Sequence, residues 1–245
     1  MNRRTVVTRQ LVAFFAALCG IPFTVLALVT GHWMWSLLLA AATVAAGAGA
    51  RLWSRADPGP MPFFMRSILR APRPYQSPSQ LRALLAPGRG ERLLEIGPGI
   101  GTHAIPIARS IAPDGRLHVV DIQQDMLDAL AQRARDAGIA NIEPCRADAG
   151  RLPYADGTFD AAYLISVLGE IPGQGAALQE LRRVLRADAR LVIGEMFIDP
   201  DFIGLGELQH QLPLAGFRLE RRVGVGLAYL AQFRRISKPS GDDVR

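Results

Sequence analysis

The segment Glu95-Ile96-Gly97-Pro98-Gly99-Ile100-Gly101 sets three glycines at alternate positions behind an apolar run, and Asp121 follows Gly101 by 20 residues. Glycines at this spacing allow a sharp turn and let backbone N–H groups approach a ligand closely. A carboxylate at that interval stands where ribose hydroxyls are held. The glycine loop alone says little, but loop, following helix and correctly spaced acid together point to a nucleotide-type site. The kind of nucleotide follows from two departures. A dinucleotide site uses Gly-x-Gly-x-x-Gly, so that a pyrophosphate rests on the helix N-terminus. Here the third glycine is Gly101, and Thr102 fills the dinucleotide position. Glu95 also sets a carboxylate beside the loop, which repels a pyrophosphate and suits an ammonium or a sulfonium. These electrostatics favour a cationic adenosyl ligand.

Such a loop needs a strand before it and a helix after it, and the surrounding pattern supplies both. Ser77-Pro78-Ser79-Gln80 has capping-box spacing and opens a short helix through Leu85. Arg92-Leu93-Leu94-Glu95-Ile96 reads as a buried strand, 102–111 as a helix, and Leu117-His118-Val119-Val120 as a second strand ending at Asp121. An amphipathic helix follows at 124–137, closed by Gly138, then strands at about 141–145 and 159–165, a helix at 174–186 and a strand at 190–195. This alternation implies an α/β domain with a mostly parallel sheet and right-handed crossovers. Phe217–Val223 and Leu227–Arg235, split by a Gly-rich turn, suggest an antiparallel pair.

Composition removes other chemistries. Lys238 is the only lysine, so neither a P-loop nor a Schiff-base site has its essential residue, and the Tyr-x-x-x-Lys pattern of short-chain reductases is absent. Cys19 and Cys145 are isolated and form no disulfide framework or zinc cluster, and no His/Cys/Asp group has metal-ligand spacing, so no metal is expected. The net charge of +6 is unevenly placed: residues 1–75 hold eight Arg and one acid, Asp57, while the remainder is nearly neutral. A nucleic-acid-binding domain carries its own basic face, so nucleic acid is not expected as a partner.

Residues 1–55 read as a transmembrane helical hairpin. Residues 11–30 carry no charge, and 31–50 carry none apart from the titratable His32. Each run approaches the ~20 residues that a helical span needs, giving spans at about 11–30 and 33–50 around a Thr30-Gly31-His32 turn. Arg3, Arg4 and Arg9 precede the first span and Arg51 and Arg55 follow the second, so both ends are expected on the cytoplasmic side of the cell membrane. A cleaved signal peptide fits less well, because a second apolar run follows without a clear cleavage site. Residues 56–76 form a Pro-rich linker. Within it MPFFMRSILR reads either as a helix on the lipid surface or as one packed over the following domain. That domain is expected at 77–237, with a disordered tail at 238–245.

Residues 92–200 resemble class I S-adenosylmethionine-dependent methyltransferases, in the type 11 group that includes ubiquinone/menaquinone and phospholipid methyltransferases. The resemblance rests on Glu95–Gly101, on Val119-Val120-Asp121-Ile122, and on Asp148 with Leu152-Pro153-Tyr154-Ala155-Asp156-Gly157-Thr158-Phe159-Asp160. Leu181-Arg182-Arg183-Val184-Leu185-Arg186 before the strand at 190–195 extends it. It implies a Rossmann-like seven-stranded, mostly parallel sheet with an antiparallel C-terminal strand, and S-adenosylmethionine as cofactor. By resemblance Gly97, Gly99 and Gly101 wrap the methionine and ribose, Glu95 orients the amino end, and Asp121 holds the ribose hydroxyls. Ile122 packs on adenine, Asp148 accepts from the adenine amino group beside the Ala149 backbone, and Ser166 and Val167 line the methyl side.

Methyl transfer is an in-line displacement whose thioether leaving group departs neutral, so positioning and desolvation supply most of the acceleration. A base is needed only where the acceptor loses a proton. Glu170, in Leu168-Gly169-Glu170-Ile171-Pro172, leads the candidates over Glu195, His103, His210 and Tyr229. Many quinone-type relatives carry an aromatic or His-containing stretch where this chain has that pentapeptide. The leading expectation is methylation of an apolar or lipid-like acceptor at the cytoplasmic membrane face. Two others stand beside it: a membrane-tethered enzyme with a small soluble acceptor, and a non-catalytic scaffold with this fold.

Overall fold

The computed structural model describes residues 20–73 and 75–236. The start of the first expected span and the expected tail at 238–245 lie outside them. The chain divides at Gly59/Pro60 into two compact units, with Ile198–Asp201 grouped with the first.

In the first unit, helix α1 (Gly20–Val29) and helix α2 (Trp33–Ala56) form a hairpin. Gly31 turns the chain between them with a φ of +79°. Small residues let the helices approach: a Cβ on Gly20 would lie 2.1 Å from Thr43 Oγ1. The Ser36 hydroxyl donates to the Thr24 carbonyl at 3.1 Å. Trp33, Leu37, Leu38, Val44 and Leu52 stay exposed along α2. Its 24 residues rise about 36 Å, more than the ~30 Å hydrocarbon layer. By length and composition α2 is the one helix among the described residues able to cross a membrane. The ten residues described for α1 are shorter than a span.

The second unit opens with a 3-10 helix at Phe63–Arg70, then α3 (Pro78–Leu85). The capping box at Ser77 forms as its spacing predicts, with Ser77 Oγ accepting from Gln80 N and Gln80 Oε1 accepting from Ser77 N. The alternation follows: β1 (Arg92–Ile96), α4 (Ala104–Ile111), β2 (Arg116–Asp121), α5 (Gln124–Asp136), β3 (Ile142–Arg146), β4 (Phe159–Ile165), α6 (Gln174–Val184), β5 (Leu185–Met196), α7 (Leu205–Leu214), β6 (Phe217–Val225) and β7 (Ala228–Arg235). They make one seven-stranded sheet of order β3-β2-β1-β4-β5-β7-β6. β1 to β5 run parallel, and β7 is antiparallel to both β5 and β6.

The central strands are buried on both faces, as a parallel sheet covered by helices requires. Because side chains alternate along a strand, Leu94 and Ile96 join one core with Leu164, Ile193 and α6, while Leu93 joins the other with Val119, Ala161 and α4. Two elements differ from the sequence pattern. β5 begins at Leu185, so α6 stops at Val184. Helix α7 escapes the pattern because only Leu208 and Leu212 anchor it in the core, and Gly204 and Gly206 flank its first residue.

Candidate active site

Strands β1, β2 and β4 end at the same edge of the sheet, where ligands bind in open α/β folds. The loop after β1 carries the three glycines at φ +66°, +53° and +82°, a region that L side chains rarely enter. At Gly97 the space is closed as well, since a Cβ would lie 2.5 Å from Val167 Cγ2. The turn is fastened by Gly97 N–H donating to the Val120 carbonyl at 2.8 Å and Gly101 N–H donating to Pro98 at 2.9 Å.

Glu95 lies within the strand, 2% exposed. Parallel pairing sets Tyr163 of β4 directly beside it, and the Tyr163 hydroxyl donates to Glu95 Oε2 at 2.8 Å. Burial pushes the Glu95 carboxyl up to about 8; the Tyr163 hydrogen bond opposes this and the nearby Asp121 charge adds to it. An uncharged acid at neutral pH ionises when a cation is brought against it, so the pair suits the ammonium end of a ligand. The sequence reading did not single out Tyr163. Its signal was available only once the β1–β4 register was known.

Asp121 ends β2 and turns back on the glycine loop. Its carboxylate accepts from Gln123 N–H at 2.9 Å, and also from the Ile122 and Gly99 backbone. Burial raises its pKa, and these hydrogen bonds partly counter the rise. Ile122 beside it is 52% exposed, so an apolar face is available to a flat ring. Asp148 and Ala149 follow β3 in a loop where Asp148 Oδ1 accepts from Gly150 N–H at 2.8 Å, a loop-closing bond. Ser166 follows β4 with a φ of +54°, and its hydroxyl is buried with no hydrogen-bond partner among the described residues. Glu170, in the short 3-10 helix after β4, accepts from Met61 N–H at 3.3 Å.

The other candidate bases have structural duties or lie elsewhere. His103 is buried with its Nε2 bonded to the Gln76 carbonyl at 2.8 Å, and burial lowers its pKa. Tyr229 is buried and donates to the Ile203 carbonyl at 2.7 Å. Glu195 is buried at the end of β5 and accepts from Ile203 N–H at 3.5 Å. His210 is exposed on α7. Among the described residues no cluster of His, Cys, Asp or Glu is arranged to hold a metal.

A cradle of left-handed glycines, a buried acid beside it, a strand-end acid and a Ser166 hydroxyl without a partner among the described residues fit the chemistry of S-adenosylmethionine. This strand order, with that loop after β1, is the build of class I S-adenosylmethionine-dependent methyltransferases. Comparison with known proteins agrees. A family model described as a methyltransferase domain matches residues 93–188. The ubiquinone/menaquinone biosynthesis C-methyltransferase UbiE of Pseudomonas putida is 36% identical over 107 residues, covering 43% of this chain and 42% of that protein. Its namesake from Klebsiella pneumoniae is 31% identical over 154 residues, covering 60% of this chain and 61% of that protein. The chain thus spans about two fifths of the length of the first of these relatives. Among solved structures, a SAM-dependent methyltransferase from Aquifex aeolicus superposes with a TM-score of 0.66 at 20% identity, covering 73% of this chain and 100% of that one. The [4+2]-cyclase SpnF shares the fold with a TM-score of 0.59 at 19% identity, covering 66% of this chain and 80% of its own. The second unit thus carries a methyltransferase domain at residues 93–188, of the class I S-adenosylmethionine-dependent build and with S-adenosylmethionine as its cofactor.

Proposed function

We propose that this protein methylates an apolar, lipid-like acceptor at the cytoplasmic face of a membrane that α2 enters. The observation that carries this reading is the apolar rim at the cofactor edge of the sheet. Phe197 at the end of β5, and Val225 and Leu227 around the β6–β7 turn, are 48%, 51% and 60% exposed. Phe197 N–H donates to the Leu227 carbonyl at 2.7 Å and ties these segments together. Phe202 stands edge-on to both Phe197 and Tyr229. An acceptor with an apolar body has a surface to lie on there. The arginines flanking the apolar N-terminal runs favour the cytoplasmic side. The names of the UbiE relatives support a quinone-type ring carbon as the methylated atom.

S-adenosylmethionine supplies an electrophilic methyl group on a sulfonium. Around it, the left-handed glycines let backbone N–H groups reach the ligand, Glu95 balances the ammonium, and Asp121 takes the sugar hydroxyls. Ile122 covers adenine, Asp148 and the Ala149 backbone read its edge, and Ser166 and Val167 close the methyl side. Glu170, on the loop after β4, is the group to receive a proton where the acceptor is carbon or hydroxyl.

Incubating membranes that contain the protein with labelled S-adenosylmethionine is expected to move label into the organic phase. Label confined to water-soluble products would overturn the lipid acceptor and favour a tethered enzyme with a soluble one. Calorimetric titration separates both from a scaffold, which would not bind the cofactor.

A further inference from the structure

The segment Met61–Arg70 lies across the cofactor cradle and is tied to the loops after β1, β2 and β4. Thr102, after β1, donates its hydroxyl to the Leu69 carbonyl at 3.0 Å. Gln123, after β2, donates its side-chain amide to the Met61 carbonyl at 2.9 Å. Glu170, after β4, accepts from Met61 N–H at 3.3 Å. Between these ties Leu69 presses on the glycine loop, its Cδ1 2.6 Å from where a Cβ on Gly99 would be. The space left between Leu69, Glu95, Gly97, Gly99 and Ile165 is about 30 Å³, room for one water. Sites for ligands of cofactor size run to ~300 Å³ and more. Leu69 therefore fills the part of the cradle that lies against the glycine loop.

The outer side of the same segment has a different character. Phe64 and Ile68 are 69% and 44% exposed, and Arg66 and Arg70 are exposed with them. No acidic residue occurs between Asp57 and Glu91. Apolar side chains set among arginines, without acids, are the composition that settles on an anionic lipid surface. Only residues 57–60 separate α2 from Met61, a reach of about 3.5 Å per residue at most. A bilayer holding α2 therefore keeps the segment near its headgroups.

We propose that Met61–Arg70 is a strap that shuts the cofactor cradle and is drawn off it by an anionic bilayer surface. Phe64, Ile68, Arg66 and Arg70 transfer to lipid as Leu69 withdraws from Gly99. This rests on the membrane placement of α2 proposed above.

The test uses the full chain in nanodiscs of phosphatidylcholine alone or with a third phosphatidylglycerol. Affinity for S-adenosylhomocysteine is measured by calorimetry, and amide exchange is followed at 61–70 and 97–102. Tenfold or tighter binding on anionic discs, with faster exchange at 97–102, is expected. Leu69→Ala should bind more tightly on both discs. The double variant Phe64→Ser/Ile68→Ser should keep the neutral-disc affinity and lose the lipid response. Equal affinity and equal exchange on the two discs would overturn the strap, even where lipid methylation proceeds. A normal lipid response in a protein that methylates no lipid would leave the strap standing and overturn the acceptor instead.

Discussion

If Glu95 meets the cofactor's ammonium as proposed, its proton reports on binding. Its carboxyl, held near 8 by burial, is protonated at neutral pH in the folded protein and ionised in the unfolded chain. The folded state thus binds the extra proton, and stability falls as pH rises from the ordinary carboxylate range to about 8, by at most ~1.4 kcal/mol per pH unit. Glu95→Gln should flatten that slope, so that its melting temperature gains on the parent's steadily between pH 5 and 8. The parent's affinity for S-adenosylhomocysteine should rise with pH up to about 8 and release a proton on binding, seen as buffer-dependent heat; the variant should show neither. A melting curve for Glu95→Gln parallel to the parent's across that range would contradict this account. At Gly97, alanine meets a φ of +66° and the Val167 side chain together, so Gly97→Ala should lose roughly 1–3 kcal/mol of stability and most cofactor affinity. Adding Val167→Ala should return part of the stability and little of the binding. The gathering of Gly97, Gly99, Gly101, Glu95 and Asp121 around one loop was legible in the sequence because it depends on local spacing. Tyr163 was not, since its role exists only through the register of β4 on β1. Neither was the contact of Leu69 with Gly99, which joins residues 30 positions apart.

At the scale of elements, Arg183 of α6 fastens the loop that carries Asp148 and Ala149 to the helix layer. Its guanidinium donates to both Glu180 oxygens at 2.8 Å, to Asp156 Oδ1 at 2.8 Å, and to the Tyr154 and Leu152 carbonyls at 2.7 and 3.0 Å. Glu180 in turn accepts from Leu152 N–H at 2.8 Å. A lysine cannot reproduce this fork. Arg183→Lys should therefore weaken cofactor binding several-fold through a loosened 148–156 loop, and cost about 1–2 kcal/mol of stability. Unchanged amide exchange across 148–156 in the variant would remove this role. Helices and strands with a strong period, such as α5 and β1, stood where the sequence placed them. α7 did not show itself, because two buried leucines make too short a stripe to read. The connector's composition suited both lipid and protein, and the packing at Leu69 reveals a side chain that faces the domain.

For the whole molecule, the sequence made the division into an apolar N-terminal part and an α/β domain plain. The structure gives α2 the length and apolar surface of a span and pairs it with α1. Membrane fractions washed with alkaline carbonate should retain the protein in the pellet, and recovery in the supernatant would remove α2 from the bilayer. One feature of the sheet bears on how such a chain is made. β7 is later in sequence than every other strand yet lies inside the sheet, between β5 and β6, with Leu230, Ala231 and Phe233 fully buried. The flank of β5 therefore stays open until the chain has been made through residue 235. Nascent chains would carry an unsealed apolar seam throughout that interval, so this protein should depend on chaperones, and a stop codon before Ala228 should yield degradation rather than a shortened protein.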